Sequence, residues 1–211
     1  MMKEDKIKII EKKTIREGKF LRFIITRYID SNGVVREWES FERVNCKGIV
    51  AIVPVTDDKE VILIRQFRPP VKRYVIEFPA GLNDKGDTLE EAARRELLEE
   101  TGYSAREMIY LTEGPMSSGA SGEILSVFLA KGIALNQVQS QGSIEKDETE
   151  DIEVLKIPIN ELDHKLSMLR SDGNLIDLKI LGLIELAKRY LMGFSDCLQN
   201  HCFRDTTEQF F

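Results

Sequence analysis

Apolar and polar side chains alternate from Phe20 to Tyr28 and again from Val34 to Arg43, on either side of Asp30-Ser31-Asn32-Gly33. A period of two marks a strand, and an Asn-Gly pair between two such runs marks a hairpin. The pattern predicts a small β unit over residues 1–45. Further on, Ile49 to Val55 and Val61 to Arg65 are apolar runs separated by Asp57-Asp58, and Tyr74 to Phe78 leads into Pro79-Ala80-Gly81. All three read as strands. Thr88 to Thr101 is predicted as a helix. Thr88-Leu89-Glu90-Glu91 has the form of a capping box, and Gly102 stands where a helix ends on a C′ glycine. Met108 to Leu111, Ile124 to Ala130 and Ile152 to Ile157 are further strands. Ile159 to Arg170 and Leu175 to Met192 have helical period, with Leu178, Leu181, Ile184, Leu186 and Leu191 as an apolar face for core packing. Strands with helices before and after them predict an α/β/α sandwich over residues 46–192. Residues 193–211 show little periodicity and are set apart as a tail.

Composition narrows the function classes. The 211 residues carry a net charge of −6, which argues against nucleic-acid binding through phosphates. No apolar run approaches a membrane span, and the charged start Met1-Met2-Lys3-Glu4-Asp5-Lys6 lacks the apolar core of a signal peptide. Three cysteines, Cys46, Cys197 and Cys202, form no disulfide framework, so the expected compartment is a reducing cytoplasm. Cys197, His201 and Cys202 lie close in sequence, but a fourth zinc ligand has no source and the spacing fits no common finger. His164 reads as a surface residue.

One short stretch stands out chemically. Glu96, Glu99 and Glu100 fall at i, i+3 and i+4 and share a helix face. Glu99 and Glu100 sit in the last turn, where the helix dipole disfavours anions. Like charges in that position repel each other, and a hard divalent cation would relieve them. A solvated glutamate-rich face is the bland alternative, with Glu91, Arg95 and Glu99 paired at i,i+4 spacing. The glycine-rich loop from Gly81 to Gly86 that enters the helix favours the metal.

The spacing of Gly81, Arg95, Glu96, Leu97, Glu99, Glu100 and Gly102 resembles the Nudix box, a loop–helix–loop that binds divalent metal and cleaves nucleoside diphosphates linked to another group. Asp87 stands where that pattern has Glu. Outside the box, Glu17-Gly18-Lys19-Phe20, Trp38-Glu39-Ser40, Arg65-Gln66-Phe67-Arg68-Pro69-Pro70 and Glu77-Phe78-Pro79-Ala80-Gly81 resemble the ADP-ribose pyrophosphatase branch, over roughly residues 15 to 190.

The resemblance implies a Nudix α/β/α sandwich with a mixed sheet, and an N-terminal β unit exchanged between the subunits of a homodimer. It implies hydrolysis of ADP-ribose or a related ADP-sugar with Mg²⁺, or Mn²⁺ in its place, to AMP and a sugar phosphate. The metal ligands would be Glu96, Glu99, Glu100 and the carbonyl of Ala80. Trp38 and Phe20 would stack on the base, with Glu39, Arg43 and Glu123 as further substrate contacts. Arg65 and Arg68 would fork onto phosphate oxygens. Glu150 matches the position of a loop glutamate that helps activate water, with Glu148 in reserve, beside Glu99 and Arg95. Asp87 would orient Arg95 rather than bind metal. Ser118 stands where the branch often has proline, so the sugar is less firmly indicated than the family. Hydrolysis of GDP-mannose or an oxidised nucleoside diphosphate, and a nucleotide-sugar sensor without turnover, are the alternatives. An RNA-decapping role fits poorly with the acidic charge.

Overall fold

The computed structural model describes residues 7–136 and 151–191. Three antiparallel strands come first: β1 (Lys8–Glu17), β2 (Leu21–Ile29) and β3 (Val35–Arg43), in the order β1-β2-β3. The β2–β3 hairpin turns at the predicted site, where Gly33 takes a φ of 80° that favours glycine. Asp30 closes the turn by accepting from Asn32 N and Val34 N. Strand β1 is an addition to the sequence reading. All ten of its residues are exposed, so no buried face imposed a legible period.

The rest of the chain contains two four-stranded sheets, with apolar clusters on two sides. One has the order β7-β4-β9-β8, with β4 (Ile49–Pro54), β7 (Ala80–Leu82), β8 (Tyr103–Pro115) and β9 (Ile124–Leu135). In the other, β10 (Ile152–Pro158), β5 (Glu60–Arg68), β6 (Arg73–Glu77) and β11 (Leu175–Ile176) lie in the order β10-β5-β6-β11. Both sheets are mixed: β4 pairs with β9, and β11 with β6, in parallel. Helix α1 (Leu89–Thr101) packs Ala92, Ala93 and Leu97 on Val50, Ile52, Phe128 and Ala130. On the opposite side, α2 (Leu162–Ser171) and α3 (Lys179–Leu191) add Leu162, Leu166, Ile180 and Ile184 to a core with Ala51, Val53, Leu63, Ile76 and Leu129. These helices cover both faces of the sheet layer, as the run of fully buried residues along β4 requires.

Two expectations are corrected. The last helix begins at Lys179 rather than Leu175, because Leu175 and Ile176 pair with Val75 and Ile76 as a strand. Asp177 then starts the helix: its Oδ1 accepts from Lys179 N at 2.8 Å. Leu178 falls in this turn and is 96% exposed, so it is no part of an apolar face; Leu181 is also exposed. The buried face is Ile180, Ile184 and Ala187. Strands β8 and β9 also extend well beyond their apolar runs, because their outer halves pair with each other while half-exposed. His164 lies on α2 and is exposed, as read from the sequence. No helix among the described residues is long and apolar enough to cross a membrane.

Candidate active site

Helix α1 carries the acidic cluster and is held at both ends. Thr88 accepts from Glu91 N, and Glu91 Oε2 accepts from Thr88 N at 2.8 Å, completing the capping box. Gly102 closes the other end with a φ of 77°, its N–H donating to Leu98 O. The loop between β7 and α1 is fixed by Asn83, whose Nδ2 donates to Asp87 O at 2.7 Å.

Glu96 and Glu100 are each only 9% exposed. Glu100 Oε2 accepts from Ala80 N at 2.9 Å, which ties the last turn of α1 to the start of β7. The Glu96 carboxyl lies directly over Gly81. A Cβ on Gly81 would stand 2.0 Å from Glu96 Cδ and 2.2 and 2.3 Å from its oxygens. Glycine here leaves the Glu96 carboxyl room for its present position, from which a Cβ would displace it. Burial pushes the Glu96 carboxyl above the ordinary carboxylate range, and the Arg95 guanidinium pulls it partly back.

Arg95 gathers the acids. Nη1 reaches Glu96 Oε1 at 2.7 Å and Glu99 Oε2 at 3.1 Å, Nη2 donates to Leu82 O at 2.9 Å, and Nε lies 3.4 Å from Asp87 Oδ2. Lys85 Nζ stands 3.6 Å from Glu99 Oε1. The guanidinium is thus the cation between Glu96 and Glu99. Among the described residues, no three acid, histidine or cysteine side chains are gathered so as to hold an ion. The donors are nonetheless of the kind a hard cation takes: carboxylate oxygens and, next to Glu100, the Ala80 backbone. The space above Gly81 is filled by the Glu96 carboxyl.

A second group of candidates sits where β3 meets the loop before β9. Trp38 Nε1 donates to Gly119 O at 3.0 Å, Phe41 N donates to Ala120 O at 2.9 Å, and Arg43 Nε meets Glu123 Oε1 at 2.6 Å. Ser121 Oγ donates to Glu123 Oε2 at 3.2 Å. These bonds tie the N-terminal sheet to the rest of the chain. A cleft of about 400 Å³ opens there, lined by Lys12, Arg22, Arg43, Lys47 and Glu123 among others. Trp38 is 50% and Phe20 64% exposed, and among the described residues the two rings do not stack on each other. Glu39 is exposed on β3.

The two arginines of β5 part company. They are three positions apart, and strand alternation sends them to opposite faces. Arg65 shares a face with Leu63 and Ile76, the side packed by α2 and α3. There it donates to Asn174 Oδ1 at 2.8 Å, meets Glu153 Oε2 at 3.0 Å and lies 3.7 Å over the Tyr74 ring. Arg68 points with Ile64, Gln66 and Glu77 to the other side, the face toward α1, and meets Glu77 Oε1 at 2.7 Å. The structure joins Glu96 and Glu99 through Arg95 and Glu100 to Ala80, sets Arg68 on the side of the sheet toward α1, and places Arg65 behind it. Glu150 and Glu148 lie outside the described residues. So do Cys197, His201 and Cys202. Sequence reasoning passed over Glu77, although Glu77-Phe78-Pro79-Ala80-Gly81 had marked the place, and over Asn174, Tyr74 and Glu153, which carry no motif.

Residues 47–178 match the family model described as "NUDIX domain". The chain is 35% identical over 160 residues to the ADP-ribose pyrophosphatase of Bacillus subtilis, covering 74% of this chain and 83% of that protein. It is 33% identical over 184 residues to the ADP-sugar pyrophosphatase of Mus musculus, covering 82% and 83%. A crystal structure of an ADP compounds hydrolase superposes with a TM-score of 0.70 at 27% identity, covering 90% of this chain and 96% of that one.

Proposed function

Because the chain belongs to the Nudix hydrolase family, we propose that it cleaves the diphosphate of ADP-ribose and related ADP-sugars, giving AMP and ribose 5-phosphate or the matching sugar phosphate. The observation that carries this reading is the pair of buried carboxylates, Glu96 and Glu100, held over Gly81 and against Ala80. Burying two like charges at the C-terminal end of a helix costs stability unless a cation shares them. Glu96, Glu99, Glu100 and the Ala80 carbonyl are the donors assigned to Mg²⁺, with Mn²⁺ as a substitute of the same coordination chemistry. A bound divalent cation would neutralise the diphosphate and lower the pKa of the attacking water.

The chain's own residues have separate tasks. Arg95 holds Glu96 and Glu99 in place, and Asp87 orients Arg95. Arg68 offers its guanidinium to phosphate oxygens from the face toward α1. Arg65 braces the far side of the same strand. Glu150 is assigned the proton of the attacking water, whose oxygen bonds to one phosphorus as the bridging P–O bond breaks. Trp38 stacks on the base, its ring plane set by the bond to Gly119, and Arg43 with Glu123 lines the approach.

Trp38 and Phe20 do not meet within one chain, and apolar side chains lie open along the N-terminal sheet: Ile9, Ile15, Phe23 and Val35 among them. They are spread over both faces, Ile9 on the side of Tyr28 and Phe23 with Val35 on the other, and exposed apolar side chains on a sheet favour an interface. Both points support a homodimer in which the sheets are exchanged and a base is stacked between aromatics of two subunits. Incubation with Mg²⁺ and a panel containing ADP-ribose, other ADP-sugars and GDP-mannose, with products separated by chromatography, tests the reading. AMP from ADP-ribose as the fastest product is expected. Turnover of GDP-mannose alone would reassign the substrate, and turnover of none would reject the enzyme.

A further inference from the structure

The chemistry just proposed uses Arg68 and leaves the acid beside it without a task. Glu77 ends β6 with its side chain largely buried, and Arg68 reaches it through Nε alone, at 2.7 Å. Among the described residues, the two terminal nitrogens of Arg68 make no hydrogen bond. Its backbone is equally fixed: the Arg68 carbonyl accepts from Val71 N at 3.1 Å and from Lys72 N at 2.9 Å. The other charges facing Glu77 come from the end of β11. Asp177, set beside Glu77 by its N–H bond to Ile76 O, is itself matched by Lys179 at 2.5 Å. Arg68 is therefore the direct partner of Glu77.

A tie between β5 and β6 would not explain this pair. The two strands are already bonded along their length, from Ile64 opposite Glu77 to Arg68 opposite Arg73. A buried carboxylate is a costly way to join strands so paired. It is well suited to something else. A long exposed arginine loses rotamer freedom when it grips a ligand, and an arginine fixed beforehand loses less.

We propose that Glu77 is a positioning residue: it holds Arg68 by Nε from the buried side, so that the two terminal nitrogens form a ready fork for the phosphate oxygens of a nucleoside diphosphate. The proposal rests on the reading of the site given above and adds to it the group that orients its anion ligand.

A double-mutant cycle on Arg68 and Glu77 tests it in the full-length enzyme with Mg²⁺ and ADP-ribose. Arg68→Ala is expected to raise KM about tenfold or more. Glu77→Ala should raise KM by several fold with little change in kcat. Glu77→Gln, whose amide oxygen still accepts from Nε, should restore most of that loss. In an Arg68→Ala background, Glu77→Ala should add almost nothing. Equal KM for Glu77→Ala and wild type, or losses that simply multiply, would overturn the proposal. So would a KM change that follows the melting temperature across the Glu77 variants. If wild type turns over no nucleotide sugar, the functional reading fails by itself. The same cycle is then read by calorimetry with ADP: non-additive loss of affinity upholds the fork, and additive loss or none rejects it.

Discussion

The N-terminal sheet and the β7-β4-β9-β8 sheet are both rich in apolar side chains, yet they end in opposite environments. Strand β4 is buried along its whole length, between α1 on one face and the α2–α3 core on the other. Strand β1 is exposed along its whole length, and in β1 to β3 only Ile24 is fully buried. The difference lies less in composition than in where the complementary surface is. For β4 it is elsewhere in the same chain. Among the described residues, the N-terminal sheet is bonded to the rest of the chain through the loop from Gly119 to Glu123, which grips one edge. A single sheet with both faces open is marginal in water, which is why its exposed apolar side chains support the homodimer proposed above.

The sharpest way to break this contrast is to disable each region separately. Glu100→Gln, in the buried region, should lower kcat on the order of 10³-fold while circular dichroism and melting temperature stay near wild type. Full activity in the folded variant would remove Glu100 from the metal site. Glu150→Gln should lower kcat by roughly 10²–10⁴ with KM almost unchanged. If Glu148→Gln were inactive instead, the role would move two residues.

In the open region, Ile9→Glu combined with Ile15→Glu alters only exposed positions. Sedimentation at micromolar concentration should show a dimer for wild type and a monomer for this variant, and KM should rise about tenfold or more as one side of the base site is lost. A fully active monomer would break the exchanged-dimer reading.

Smaller effects probe the seam between glycine and acid. Gly81→Ala puts a methyl where the Glu96 carboxyl lies, so the carboxyl must swing away; activity should fall while denaturant unfolding changes by less than about 1.5 kcal/mol. The metal effect should also depend on pH. Because Glu96 is pushed above its ordinary range, the folded apo protein holds this proton more readily than the unfolded chain does. Its contribution then falls as pH rises from the ordinary carboxylate value to the raised one. Metal needs the deprotonated form, so Mg²⁺ should raise the melting temperature more at neutral pH than near pH 5. An equal rise at both would separate Glu96 from the ion.

Helix α1 was legible from sequence to the residue, because its start, end and acid spacing each rest on local chemistry: Thr88, Gly102 and the i, i+3, i+4 set. The same holds for the hairpin at Asn32-Gly33. What failed to show depended on pairing. Strand β1 has no buried face to impose a period, and Leu175-Ile176 looked helical until Asp177 was seen to stop one element and start another. Arg65 and Arg68 read alike in one dimension, and only the strand register separates them. Glu77 was hidden for a related reason: a lone acid in an apolar run gives no hint of which arginine it will meet.

Arg95 has a consequence for how the site is loaded. Its guanidinium already bridges Glu96 and Glu99 and is anchored to Leu82 and Asp87. The protein thus carries its own placeholder cation. If Glu96 and Glu99 take a divalent ion as proposed, Arg95 would hold the same carboxylates before the ion arrives and after it leaves, so folding of the helix would not have to wait for metal.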